Sequence, residues 1–284
     1  VPKIIDIEQG LAFAPTCHAV HGYPQECIRE MLTDLDVLVL TLGKRVLPGM
    51  TRADVYAQNA AIFRGTVVPA LRDGFKGIVL AISNPVDLIA RLLYREAHLE
   101  KQRVLGLGTI VETARLRASL GSYLSPQRPA RDVWAYAVGT HDANFIPVVM
   151  PGPALGDTTS ESELADLVSL AKGEVARAAD RVKTEDGSSV HPVVEGVVQV
   201  LEAIAFDRRS IITVSVLDPA TPDELFYSAP CCVGQSGIVM RHAEILDLPP
   251  VRSALTTGCD AMRTILREAG EVGTEHPRSQ RKTA

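Results

Sequence analysis

His141 stands in Val138-Gly139-Thr140-His141-Asp142, just after an apolar run, where an imidazole can meet a substrate at a domain junction. Imidazole ordinarily exchanges its proton near neutral pH, which suits acid/base chemistry. The other six histidines (His18, His21, His98, His191, His242 and His276) have no comparable setting. Glu112 and Arg115 lie i, i+3 in the segment Gly108 to Arg117 and so share one helix face. Taken alone, that spacing reads as a surface ion pair of low intrinsic value. Two more polar clusters, Thr41 to Arg52 and Ser83-Asn84-Pro85, also follow apolar runs. In an open α/β sheet ligands gather outside the carboxyl ends of the strands, which is where all three clusters fall. No His/Cys spacing suits zinc, so no metal is expected.

The elements that must position these residues alternate. Val37-Leu38-Val39-Leu40 is a continuously apolar run that predicts a parallel strand buried on both faces, and a helix follows over Thr51 to Leu71. A second such strand, Ile78 to Ile82, leads to a helix from Val86 to about Leu99 and a short strand at Val104-Leu105-Gly106. This predicts an α/β fold with a Rossmann-type parallel sheet, residues 1–131. From residue 132 to 284 the pattern becomes mixed α+β: a strand at Val133 to Val138, a helix from Ser162 to Val182, and strands Ser210 to Val216 and Leu225 to Val233. The turn residues Asp218-Pro219-Ala220-Thr221-Pro222 predict that the last two pair antiparallel. A final helix is expected from about Pro250 to Ala269, before a frayed polar tail, Glu275 to Ala284.

Composition narrows the partners. The chain has 284 residues, 46% hydrophobic and 22% charged, a globular profile at a length where two domains are expected. A formal charge of −5 gives no broad basic field, so neither nucleic acid nor an anionic membrane is expected as a partner. The longest apolar runs are strand-sized, and no membrane span or signal peptide is expected. The five cysteines (Cys17, Cys27, Cys231, Cys232 and Cys259) form no C-x-x-C pair, and their odd number fits a reducing, cytoplasmic setting.

Read together, Leu42-Gly43-Lys44-Arg45-Val46-Leu47-Pro48-Gly49-Met50-Thr51-Arg52, Asn59, Ser83-Asn84-Pro85-Val86-Asp87, Gly108 to Arg117 and Gly139-x-His141 with Pro147 resemble the L-lactate/malate dehydrogenase family in order and separation. The resemblance runs from about Asp6 to Ile238. It implies hydride transfer between NAD(H) and a small 2-hydroxy or 2-oxo acid by a homodimer or homotetramer. It further implies that His141 is the general acid/base, Glu112 its carboxylate partner, and Arg52 a residue that closes over the site and polarises the carbonyl. Arg115 would hold the substrate carboxylate as a bidentate fork, with Asn84 and Ser189 also at the substrate. Thr41, Leu42, Gly43, Asn59, Ile82 and Asn84 would serve the cofactor, and the Asn84-Pro85 bond would be cis.

The departures matter as much. The family's G-E-H-G-D-S is here Gly139-Thr140-His141-Asp142-Ala143-Asn144, its catalytic aspartate is Glu112, and Asp142 adds a second carboxylate beside His141. Val46 stands where malate enzymes of the family carry arginine and lactate enzymes glutamine, which points to a monocarboxylic 2-oxo acid with an apolar side chain. Lys44 and Arg45 flank it and leave malate open, as does Met50 in its Pro-Gly-Met-x-Arg context. No G-x-G-x-x-G fingerprint occurs. Ile5 to Gly10 then reads as the helix after the family's second strand, implying that a preceding βαβ unit of roughly 30 residues is missing. Alternatively, Lys3 to Asp6 is that strand and Asp6 the ribose-binding acid. A non-catalytic paralogue, serving as a binding or oligomerisation module, is the alternative function.

Overall fold

In a computed structural model, three apolar runs form the strands β1 (Val37–Leu40), β2 (Ile78–Ala81) and β3 (Val104–Gly106), paired in parallel in that order. Residues 21–24, 27–44, 49–124, 126–142, 144–150, 152, 160–185 and 189–271 are described. The expectations placed on Asp6, Ile5 to Gly10, Arg45, Val46 and the tail Glu275 to Ala284 lie outside them.

β2 and β3 are buried throughout, as continuous apolar runs in a parallel sheet must be. β1 differs from expectation. It stands at the edge of the described sheet, and Val37 to Val39 are only partly buried. The crossover helices are α1 (Arg52–Arg72) and α2 (Val86–Ala97), and α3 (Ile110–Tyr123) follows β3. α1 starts where a capping box stops the backbone from fraying: Thr51 Oγ accepts from the Asp54 N–H while the Asp54 carboxylate accepts from the Thr51 N–H. That box fixes Arg52 at the first position of the helix.

The second half supplies β4 (Ala135–Val138) and β5 (Ile146–Val149) as a separate antiparallel pair, then α4 (Glu161–Glu185), α5 (His191–Ala205), β6 (Ser210–Leu217), β7 (Phe226–Gly234), β8 (Gly237–Arg241) and α6 (Pro249–Glu268). β6 and β7 pair antiparallel in full register, as their turn residues predict. They do not stand apart from the first half: β6 pairs with β3 at Gly106↔Ser215, giving one six-stranded sheet in the order β1-β2-β3-β6-β7-β8. The expected boundary at residues 131/132 falls at the short 3-10 turn Ala130–Asp132, and one core runs from Leu32 to Leu266 across it. A smaller cluster (Leu116, Leu120, Val133, Phe145, Ala171 and Val175 among its members) packs α3 against β4 and α4. α3 is thus gripped on two sides, which holds its first turn at the carboxyl edge of the sheet.

Candidate active site

The three polar clusters follow β1, β2 and β3, and their ends meet the turn after β4. That turn is built from glycine outward. Gly139, at φ 109°, reverses the chain after β4 in a conformation that side chains other than glycine rarely adopt, and its N–H and C=O both bond to Ser228 on β7, at 2.8 Å each. His141 comes next. Its backbone N–H donates to Asp87 Oδ2 at 3.0 Å, and Asp87 Oδ1 accepts from the Ser215 hydroxyl at 2.5 Å. Asp87 is buried on α2, so the histidine's main chain is bolted to the sheet through a carboxylate.

On α3 the Glu112 carboxylate faces the same imidazole, with Oε2 3.4 Å from His141 Nδ1. Burial pulls the imidazole pKa down, but the charge of Glu112, aided by Asp87, outweighs it and the net shift is upward. For Glu112, burial pushes upward, and His141 and then Arg115 more than offset it, so its carboxyl stays below the ordinary value. The pair therefore favours imidazolium beside carboxylate. Asp87 is moved the other way, raised by burial.

Below this pair runs a chain of buried polar groups. The Thr109 N–H donates to Ser228 Oγ, its hydroxyl donates to the Ala137 carbonyl, and Thr113 Oγ accepts from the Ala137 N–H. Gly108, at φ 59°, has no room for a Cβ against Ser228 Oγ and the backbone of Ser215. These bonds set α3 and β4 in a fixed relation, and with them Glu112 and His141.

Arg115, one turn beyond Glu112, donates from Nη2 to Ser189 Oγ at 2.6 Å, so the structure brings two of the expected substrate residues together. Arg52 lies across the His141 turn: its Nη1 is 3.1 Å from Asp142 Oδ2. Asp142, the extra carboxylate in the histidine motif, thus engages Arg52, and Glu112 engages His141.

The expected cofactor residues divide into a surface and its support. Thr41, Leu42, Gly43 and Asn84 are exposed at the ends of β1 and β2, Ile82 is partly buried, and the Asn84-Pro85 bond is cis. Asn59 is buried beneath them. It accepts from the Lys44 N–H at 2.8 Å and donates to the Asn84 carbonyl at 2.6 Å, tying the two loops together. Ser83 adds a second tie, from its hydroxyl to the Leu42 carbonyl. A Cβ at Gly43 would sit 3.3 Å from the Asn59 amide, so the bare backbone there is a close fit to its floor. Gly43 therefore leaves bare backbone between the exposed Leu42 and Asn84, an open surface that has room for part of a dinucleotide.

Sequence reasoning missed the service of Asp87, although its motif was in view, because its partners lie 54 and 128 positions away. A separate cavity of about 390 Å³ between β7 and α6 holds none of these residues. Its arginines are already engaged: Arg241 with Asp218, Arg252 with Asp247 and Arg263 with Asp223.

Residues 3–106 match the family described as lactate/malate dehydrogenase, NAD binding domain. The L-lactate dehydrogenase of Geobacillus stearothermophilus is 32% identical over 246 residues, which is 82% of this chain and 74% of that protein. The chain belongs to the lactate/malate dehydrogenase family. The L-lactate dehydrogenase of Priestia megaterium is 30% identical over 254 residues, 86% of this chain and 77% of that protein. A solved lactate dehydrogenase from a Medee basin deep-sea metagenome library shares the fold at a TM-score of 0.82 and 25% identity, covering 95% of this chain and 86% of its own. The malate dehydrogenase of Picrophilus torridus matches at a TM-score of 0.82 and 20% identity over 95% of this chain and 86% of its own, a likeness of fold. As a member of this family the chain is an NAD-linked oxidoreductase of small hydroxy acids. Among the described residues no helix is long and apolar enough to cross a membrane.

Proposed function

We propose that this dehydrogenase interconverts a 2-hydroxy acid and a 2-oxo acid bearing one carboxylate and an apolar side chain. The observation that carries the catalytic reading is the His141–Glu112 pair at the carboxyl edge of the sheet, where the carboxylate 3.4 Å from the ring favours the protonated imidazole. NADH, when bound, supplies the hydride. The chain's own residues do the rest. His141 gives its proton to the carbonyl oxygen in reduction and takes it from the hydroxyl in oxidation, and Glu112 stabilises the charged ring. Arg115, steadied by Ser189, pairs with the carboxylate, and Arg52 polarises the carbonyl. Asn84 bonds the substrate oxygen.

Thr41, Leu42, Gly43 and Ile82 face the nicotinamide end, with Asn59 shaping the ledge from below. The division at 131/132 is one of roles: cofactor ledge, Glu112 and Arg115 before it, His141 and Ser189 after it. The preference for an apolar monoacid rests on Val46, which offers a second carboxylate no charge. We place the enzyme in the cytoplasm as a homodimer or homotetramer. The convergence of these side chains favours an enzyme over a non-catalytic paralogue, since packing alone has no use for them.

Steady-state NADH oxidation with pyruvate, longer apolar 2-oxo acids and oxaloacetate tests the reading. Val46→Arg is expected to shift kcat/KM toward oxaloacetate. An unmodified protein that already favours oxaloacetate would show that Lys44 or Arg45 has taken the role instead.

A further inference from the structure

Asp142 occupies a position where the family motif has glycine, and its side chain is only 7% exposed. It is held firmly. Oδ1 accepts from the Asn144 N–H at 2.8 Å and from the Thr140 hydroxyl at 3.1 Å, and the buried ring of Phe145 anchors the turn beyond it. The other oxygen, Oδ2, meets Arg52 Nη1. Arg52 itself is 60% exposed, with the capping box of α1 fixing its backbone but leaving a long side chain to find its own rotamer. A guanidinium has five N–H donors, so one bond to Asp142 fixes its direction and leaves others for a substrate oxygen.

We propose that Asp142 is a positioning residue, introduced in place of a glycine, which holds the Arg52 guanidinium beside His141 before substrate arrives. The inference rests on the dehydrogenase reading above. Ordering a free arginine costs side-chain entropy at the moment of reaction, and an angstrom of misplacement at a reacting centre can cost on the order of 100-fold in rate. A rigid carboxylate on the histidine's own turn narrows that uncertainty, since the Arg52 guanidinium is then referenced to Asp142, the residue next to His141.

The test is a double-substitution cycle with Asp142→Asn and Arg52→Gln. The amide oxygen that Asp142→Asn introduces can still accept from the Asn144 N–H and the Thr140 hydroxyl, so this substitution keeps the turn and removes the charge that faces Arg52. It is expected to lower kcat by about tenfold or more while KM for the 2-oxo acid changes by less than about threefold, because Arg115 still holds the carboxylate. Arg52→Gln should then cost much less in the Asp142→Asn background than in the unmodified protein. Equal costs in both backgrounds overturn the proposal.

The second arm does not use activity. Among the described residues, the charged groups facing His141 are Glu112 from α3, Asp87 from α2, Arg52 from α1 and the adjacent Asp142. The His141 titration is followed by NMR in the four proteins of the cycle. Arg52→Gln should move it upward in the unmodified protein, and by about half as much or less in the Asp142→Asn background. An identical shift in both backgrounds overturns the proposal. If none of the 2-oxo acids offered supports NADH oxidation by the unmodified protein, the substrate reading falls, and the titration cycle alone decides whether Asp142 holds Arg52.

Discussion

Glu112 Oε2 lies 3.4 Å from His141 Nδ1, longer than a well-formed N–H···O bond, in a setting where each group pushes the other toward its charged form. The glutamate reaches the ring from α3 with one methylene more than the aspartate of the family motif. Attraction is in place, and alignment is what remains short.

Glu112→Gln should lower kcat roughly tenfold to 100-fold and move the His141 limb of the pH profile downward. The sign follows from the charge: a neutral amide no longer holds the proton, so oxidation, which needs neutral imidazole, begins at lower pH, and reduction fails at lower pH. Glu112→Asp should raise kcat if alignment is limiting. Stability carries the same signature. His141, raised in the folded state, contributes fully below its ordinary value of 6.5 and loses the contribution as pH rises through the folded value. Glu112, lowered, contributes above 4.5 and loses it as pH falls. The pair's contribution is therefore largest between those two values, and urea titrations against pH should show the loss of that maximum in Glu112→Gln.

Asp87→Ala strips the partner from the His141 N–H and the Ser215 hydroxyl, both under cover, and is expected to cost about 2–4 kcal/mol in denaturant unfolding. Asp87→Asn can satisfy both, accepting from His141 and donating to Ser215, so it should fold with a loss of about 1 kcal/mol or less at neutral pH. Because burial raises the Asp87 pKa, ionisation costs the native protein stability as pH rises through the folded value, a cost the amide escapes. Stability of the native protein should thus fall relative to Asp87→Asn with increasing pH.

Arg115→Lys replaces a fork with a point charge and should raise KM for the 2-oxo acid by about 100-fold, whereas Ser189→Ala, which only frees the guanidinium, should raise it by about tenfold or less. Initial-rate kinetics at saturating NADH separates the two. Equal effects would show that Ser189 touches the substrate itself.

Asn59→Ala releases both the Lys44 N–H and the Asn84 carbonyl. We expect a loss of about 2 kcal/mol in stability and a rise in the NADH dissociation constant with little change in KM for the 2-oxo acid. Fluorescence titration of NADH checks it.

Much of this arrangement is legible in the sequence. The strand-end clusters after Leu40, Ala81 and Gly106 follow from apolar runs that close on polar residues, and β6 and β7 from the turn between them. α5 is not legible. Five of its first ten residues are valine, which locally speaks for a strand, and only packing of Val193, Val197, Val200 and Ile204 at helical spacing decides otherwise. The role of Asp87 is hidden for a different reason, since a carboxylate that serves a backbone N–H leaves no mark in local sequence. Asp142 is visible as an oddity beside His141, but its partner sits 90 residues earlier, and proximity in sequence draws attention to the histidine instead.

The junction of the sheet has a consequence for how the chain is made. β3 meets β6 at Ser215, the residue whose hydroxyl also braces Asp87, and Ser228 on β7 closes the turn that carries His141. A nascent chain that has not yet emitted Ser210 to Gly234 holds β3 as an open edge of Val104, Leu105 and Gly106, with neither brace available. Pairings this distant in sequence form slowly, and an unpaired apolar edge is a template for association with other chains. Synthesis at elevated temperature, where that interval is most hazardous, should therefore yield aggregates of ribosome-released fragments ending before residue 210, and soluble protein from chains that also carry β6, β7 and the core face of α6.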